Sequence, residues 1–236
     1  DYSSDFKKSV PKHWLKKMWC IKEITPEYRE RMYDILDLYE EPYNPLKPVL
    51  GIDEKPKQLI EDSRTPILMR PGKIEKQDYE YIRRGKANIF MGVEPKGGKR
   101  FTEVTWQRTK KDFALYMKYL VDEKYPYVKI LRVILDNLNT HNESSFFENM
   151  DKREAKRILK KIKFYYTPIH ASWLNVAEIE IGIMDRECTN RRIKDKEMLA
   201  REVKAWEKRR NRQRRKINWT FTKQKADKKL GKYYTE

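Results

Sequence analysis

Cysteine is nearly missing from the chain: Cys20 and Cys188 are the only two in 236 residues, and neither belongs to a C-x-x-C pair. That excludes a cysteine-ligated zinc module and a dithiol redox pair, and two lone thiols suit a reducing compartment. No run of 18 apolar residues occurs, so the sequence offers no membrane-spanning helix. The opening residues Asp1-Tyr2-Ser3-Ser4-Asp5-Phe6-Lys7 lack the apolar core of a signal peptide. A cytoplasmic, nucleoid-associated setting is therefore expected. There is no internal repeat, and the glycine pair Gly97-Gly98 reads as a turn, not as a phosphate-cradling loop. An initiator Met is also missing, and the chain is expected to be a piece of a longer one.

What the sequence has in excess is positive charge, with 54 Lys and Arg against 36 Asp and Glu and a net of +18. A mean hydropathy of −0.97 is very polar, yet 12% aromatic residues argue for a folded domain. The charge is unevenly spread. Residues 1–50 hold nine bases and nine acids, whereas residues 189–236 hold 18 bases and six acids. Seven of the nine residues 208–216 are basic. So concentrated a field points to a polyanion, with nucleic acid the commonest case. A membrane surface fits less well, because the tail lacks a clean apolar face. Lys208, Arg209, Arg210, Arg212, Arg214 and Arg215 are the expected phosphate contacts, which would give affinity without reading sequence.

The most informative stretch is Val133-Ile134-Leu135-Asp136-Asn137-Leu138-Asn139-Thr140-His141, an apolar run that stops on an acid and a polar cluster. With Val128, Ile130 and Leu131 before it, both faces are apolar, the pattern of a strand covered on both sides. The ends of such strands are where open α/β sheets bind ligands. A second apolar run, Val49-Leu50-Gly51-Ile52-Asp53, also stops on an acid. Ahead of it, Thr25-Pro26-Glu27 starts a helix over about residues 26–40, and Pro42, Pro45 and Pro48 end it.

Residues 54–78 carry no sustained period and are expected to be a loop. From Tyr79 the pattern turns β again, residues 88–93 and 100–106 flank the glycine pair as a hairpin, and residues 110–123 have helical spacing. Residues 143–161 read as one helix, Phe164-Tyr165-Tyr166 as a short strand, and Ala171 onward as a helix in which Glu178 lies along an apolar stripe. A basic helix over about 196–216 closes the order. The division is a linker and helix at 1–45, a core at 46–195 and a basic helical extension at 196–236.

Two strand-end aspartates and a helical glutamate brought together would repel, so such a cluster is expected where divalent cations neutralise it. Mg²⁺ prefers oxygen ligands, and two such ions can serve both the attacking and the leaving oxygen of a phosphodiester. Four blocks carry a resemblance: Gly51-Ile52-Asp53-Glu54-Lys55-Pro56; Glu80-Tyr81-Ile82-Arg83-Arg84-Gly85; Leu135-Asp136-Asn137-Leu138-Asn139-Thr140-His141; and residues 167–178, Thr167-Pro168-Ile169-His170-Ala171-Ser172-Trp173-Leu174-Asn175-Val176-Ala177-Glu178. With Ile217-Asn218-Trp219-Thr220-Phe221-Thr222, they resemble the bacterial mariner-like insertion-sequence transposases of the Tc/mariner superfamily, over roughly residues 45–230.

The resemblance implies an α/β, ribonuclease-H-like fold of the retroviral-integrase type, with a mixed five-stranded sheet flanked by helices. It implies an Asp-Asp-Glu triad of Asp53, Asp136 and Glu178 holding two Mg²⁺ or Mn²⁺ ions. The implied reaction is metal-dependent cleavage at transposon ends and joining of 3′ hydroxyls to target DNA at TA. Expected partners are double-stranded DNA, as transposon ends and target, and a second copy in a homodimer on DNA. Family members usually carry helix-turn-helix domains before the core, and the residues ahead of it here leave room for at most a linker. Glu180 is expected to be an ion-pair partner. His141 and His170 are read as structural or phosphate-contacting, with a ligand or proton-shuttle role open. Trp173 is read either as core or as a ring stacking on a displaced base. The rival readings are a DNA-binding remnant without chemistry and an RNA-cleaving nuclease of the same fold.

Overall fold

The computed structural model describes residues 23–235. Of the linker expected ahead of the first helix, residues 1–22 lie outside them. Helix α1, Pro26–Glu40, starts as the sequence dictates: the Thr25 side chain accepts from the Tyr28 N–H and a proline fills the first turn. Its buried face of Met32, Ile35, Leu36 and Tyr39 lies on a five-stranded sheet.

The strands are β1, Val49–Asp62; β2, Tyr81–Glu94; β3, Lys99–Thr105; β4, Leu131–Leu135; and β5, Ile162–Tyr166, in the spatial order β3-β2-β1-β4-β5. β1, β2 and β3 run antiparallel, and β4 and β5 run parallel to β1. Helices α2, Lys110–Tyr119; α3, Ser144–Asn149; and α4, Lys152–Leu159 cover one face, packing around Leu50, Ile52, Phe90, Val133 and Leu135. Helices α5, Val176–Met184; α6, Lys196–Arg212; and α7, Lys223–Leu230 join α1 on the other, around Ile89, Met91, Val93 and Ile134. The mixed sheet covered on both faces is the ribonuclease-H-like fold, with the basic helical extension packed on it. Among the described residues, no helix is long and apolar enough to cross a membrane.

Three local readings are corrected. Residues 54–62 are strand, not loop: β1 runs on to Asp62, so Asp53 sits inside it and does not end it. The cause is pairing. β2 accompanies β1 as far as Asp62↔Tyr81, while the parallel partner β4 is registered only from Val49 to Gly51, so the outer part of β1 has no strand on its other side among the described residues, where the Ile60 N–H donates to the Ile193 carbonyl at 2.8 Å. Pro56 is tolerated on such an edge, and between Lys55 and Asp62 only Leu59 of β1 is buried, which removes the apolar alternation by which a strand is read. β2 accordingly begins at Tyr81, close to Tyr79, where the sequence turns to a β pattern. The helix expected over 143–161 is two helices, because Asp151 caps a new one by accepting from the Arg153 and Glu154 N–H groups. The basic helix ends at Arg212, and Arg214 turns the chain with a φ of 46°.

Candidate active site

Asp53 and Asp136 meet through strand register. β1 and β4 are parallel with Gly51 opposite Ile134, so two residues further along each strand Asp53 stands level with Asp136. The alternation of the pleat turns Asp53 to the face that α5 covers, and Asp136, the first residue past β4, meets His141.

Glu178 is brought to the same place by the start of α5. Asn175 caps this helix, accepting from the Ala177 N–H with Oδ1 at 3.1 Å while its Nδ2 donates to the Ile52 carbonyl at 2.7 Å. One buried side chain thus starts the helix and ties it to β1 beside Asp53. The approach needs Gly51: a Cβ there would fall 2.6 Å from Val176 Cγ1 and 2.8 Å from Asn175 Oδ1. Glu178 lies on the exposed side of α5, next to the buried stripe of Val176, Ala177 and Met184 and not within it.

The acids feel one another. Asp53 is pushed up to about 7, first by burial and further by the charges of Glu54, Asp136 and Glu178, against a lowering hydrogen bond from the Glu54 N–H. Asp136 is held below the usual carboxylate range, chiefly by His141, and its side chain is 42% exposed. Oxygen donors with excess negative charge are the donor set a hard divalent cation takes. Among the described residues, however, no group of three or more His, Cys, Asp or Glu stands close enough to hold a metal ion as arranged. The three acids share a field, not a ready-made coordination shell.

His141 is enclosed at 0% side-chain exposure, with Nδ1 2.7 Å from Asp136 Oδ1 and Nε2 2.6 Å from Glu54 Oε1. Burial opposes its charged form most strongly, but the two carboxylates outweigh it and raise the ring to about 9. Both ring nitrogens face a carboxylate oxygen, an arrangement that favours the charged ring. This corrects the reading of His141 as a phosphate contact, since no polyanion can reach it. The sequence does not reveal Glu54 as its partner, because strand alternation says only that Glu54 points away from Asp53. That it meets His141 depends on how the turn after β4 folds back.

The expected phosphate contacts divide. Lys208, Arg209, Arg212, Arg214 and Arg215 are exposed. Arg210 is not: it is buried and donates to Glu180 at 3.0 and 3.2 Å, which corrects its expected role. Glu180, itself buried, also accepts from the fully buried Arg100 at 2.6 Å, the ion-pair role expected of it. Trp173 is 39% exposed with its ring edge-on to Phe221, in a short 3-10 turn ahead of α5. His170 stands ahead of the same turn with a φ of 64°.

A mixed sheet thus carries two level aspartates with a helix-borne glutamate beside them. The family comparison gives the class of protein. Residues 48–200 match the model of the DDE superfamily endonucleases, and the chain belongs to that family. In fold it is similar to the crystal structure of the mariner Mos1 paired end complex with Mg, with a TM-score of 0.57 and 14% identity over 97% of this chain and 69% of that one. The Mos1 paired end complex with Mn gives a TM-score of 0.40 at 15% identity, over 88% of this chain and 68% of that one. The Mos1 strand transfer complex gives 0.38 at 13%, over 88% and 67%. Among curated proteins, none matches the chain by sequence.

Proposed function

We propose that this is the catalytic domain of a mariner-like insertion-sequence transposase, which cuts DNA at transposon ends and joins the 3′ hydroxyls to target DNA at TA. The observation that carries the reading is Asp53: an acid kept half-buried beside Glu54, Asp136 and Glu178, and raised to about 7, inside a DDE endonuclease domain. Burying a carboxylate among others is costly unless a cation or a proton compensates it. Asp53, Asp136 and Glu178 would hold two Mg²⁺ or Mn²⁺ ions. Bound there, the ions would supply charge stabilisation for the attacking and leaving oxygens.

In the first step a water oxygen bonds to phosphorus as the bond to the 3′ oxygen breaks, leaving a 3′ hydroxyl and a 5′ phosphate. In the second, that 3′ oxygen attacks a target phosphorus and the target's own 3′ oxygen leaves. The chain's part is to hold the acids level on β1, β4 and α5 and to present DNA to them. The exposed bases of residues 208–215 bind the phosphate backbone, and a second copy completes the assembly on paired ends.

Asp136→Asn tests the reading. Cleavage of transposon-end DNA is expected to fall below detection while the fold and DNA affinity stay near wild type. Cutting at the wild-type rate by this variant contradicts the assignment. Preference for an RNA–DNA hybrid over duplex DNA would instead favour a nuclease of the same fold.

A further inference from the structure

Glu54, His141 and Asp136 form a hydrogen-bonded chain that the triad alone does not use. The Glu54 N–H donates to Asp53 Oδ1 at 2.8 Å, and the Glu54 side chain, turned to the opposite face and 3% exposed, meets His141 Nε2 at 2.6 Å. His141 Nδ1 then meets Asp136 Oδ1 at 2.7 Å. The two aspartates are thereby joined through one residue of β1 and one imidazole.

His141 is itself held. Its ring packs on Phe113 of α2 at 4.7 Å between centroids, its backbone N–H donates to the Leu138 carbonyl at 2.8 Å, and its own carbonyl accepts from the Tyr166 hydroxyl at 2.8 Å. Asp136 Oδ1 also accepts from the Leu138 N–H at 3.3 Å, whereas Oδ2 accepts no hydrogen bond among the described residues. One oxygen is fixed by the protein and the other is free.

We propose that His141, anchored by Glu54, is a positioning residue that fixes Asp136 by Oδ1 and so presents Oδ2 to the divalent cation. This rests on the reading of Asp136 as a metal ligand. Carboxylates that bind metals are commonly oriented by such hydrogen-bonded partners, whose loss costs about 10- to 100-fold in metal affinity. Without His141, Asp136 would lose its orienting donor and Glu54 would be left buried without its partner.

The test compares Mn²⁺ binding to the full chain, read by the paramagnetic signal of free Mn²⁺, in His141→Phe and His141→Gln. Phe can stack on Phe113 but donates to neither acid, whereas Gln keeps one donor. Mn²⁺ affinity is expected to fall about 10- to 100-fold in His141→Phe and less in His141→Gln. Metal-free DNA affinity should stay unchanged, and cleavage should recover partly at saturating Mn²⁺. Should the Phe variant fail to fold, a weakened Mn²⁺ affinity in the Gln variant carries the same prediction. Wild-type Mn²⁺ affinity in a folded His141 variant, with only a lowered Tm, overturns the proposal and leaves His141 a structural residue. Asp136→Asn separates the two claims. If it loses Mn²⁺ while the His141 variants keep it, this inference alone fails; if it binds Mn²⁺ as wild type does, the ligand reading fails beneath it.

Discussion

Asp53 is the residue at which folding and chemistry oppose each other. Its carboxyl, raised from its ordinary 3.8 to about 7 by burial and neighbouring acids, holds in the folded state a proton that the unfolded chain gives up. Its contribution to stability is therefore full below about pH 4 and is lost as pH rises through about 7. In metal-free protein, Asp53→Asn should leave Tm near wild type at about pH 4 and raise it at about pH 8, as thermal unfolding at the two pH values will show. An unchanged difference between variant and wild type at both pH values would contradict the shift. The candidacy of Asp53 and Asp136 was legible in sequence, since each closes an apolar run. The His141–Glu54 pair was not, because residues 87 positions apart meet only through the turn after β4.

Among the elements, α5 carries the most consequence. Its outer side presents Glu178, its start is tied to β1 by Asn175, and its inner side is pinned by Glu180 between Arg100 of β3 and Arg210 of α6. A carboxylate buried between two guanidiniums has little excess stability over a well-packed apolar replacement, but removing one partner leaves charge stranded in the core. Glu180→Leu should therefore cost about 3–5 kcal/mol in urea unfolding. Breaking the exposed pair Glu27–Arg31 on α1 by Glu27→Gln should cost less than about 1 kcal/mol. Equal losses would mean that Glu180 does not hold α5. Helix periodicity placed α1, whose buried and exposed sides differ in polarity, but it could not sort the glutamates of α5, where Glu180 is buried and Ile179 exposed. It failed on β1 beyond Asp53, where partly exposed side chains follow one another without alternation, and on Arg210, whose inward turn depends on the facing Glu180.

At the scale of the molecule, the positive field of the C-terminal residues belongs to α6, α7 and the turns around them, packed on the sheet face that α5 also covers. The turn after α6 is locked onto the β2–β3 hairpin, with the Ile217 N–H donating to the Pro95 carbonyl at 2.9 Å and Gly98 lying under the Arg214 backbone. The basic segment is thus a fixed surface of the fold. Charge neutralisation of Lys208, Arg212 and Arg215 together should weaken DNA binding uniformly across sequences. It should also reduce the slope of log K against log salt by about 0.9 for each phosphate that the protein no longer neutralises. An unchanged salt slope in a filter-binding titration would place the DNA elsewhere.

That Asp53, Asp136 and Glu178 act together on DNA through a divalent cation is tested most directly by strand cleavage. Transposon-end duplex would be exposed to wild type and to Asp136→Asn, each titrated with Mn²⁺ or Mg²⁺ and then with a chelator. Nicks from wild type are expected to appear with the ion and vanish with the chelator, and none are expected from the variant at any ion concentration. Cleavage that survives chelation, or that Asp136→Asn performs as well as wild type, would contradict a carboxylate-held cation as the agent of the reaction.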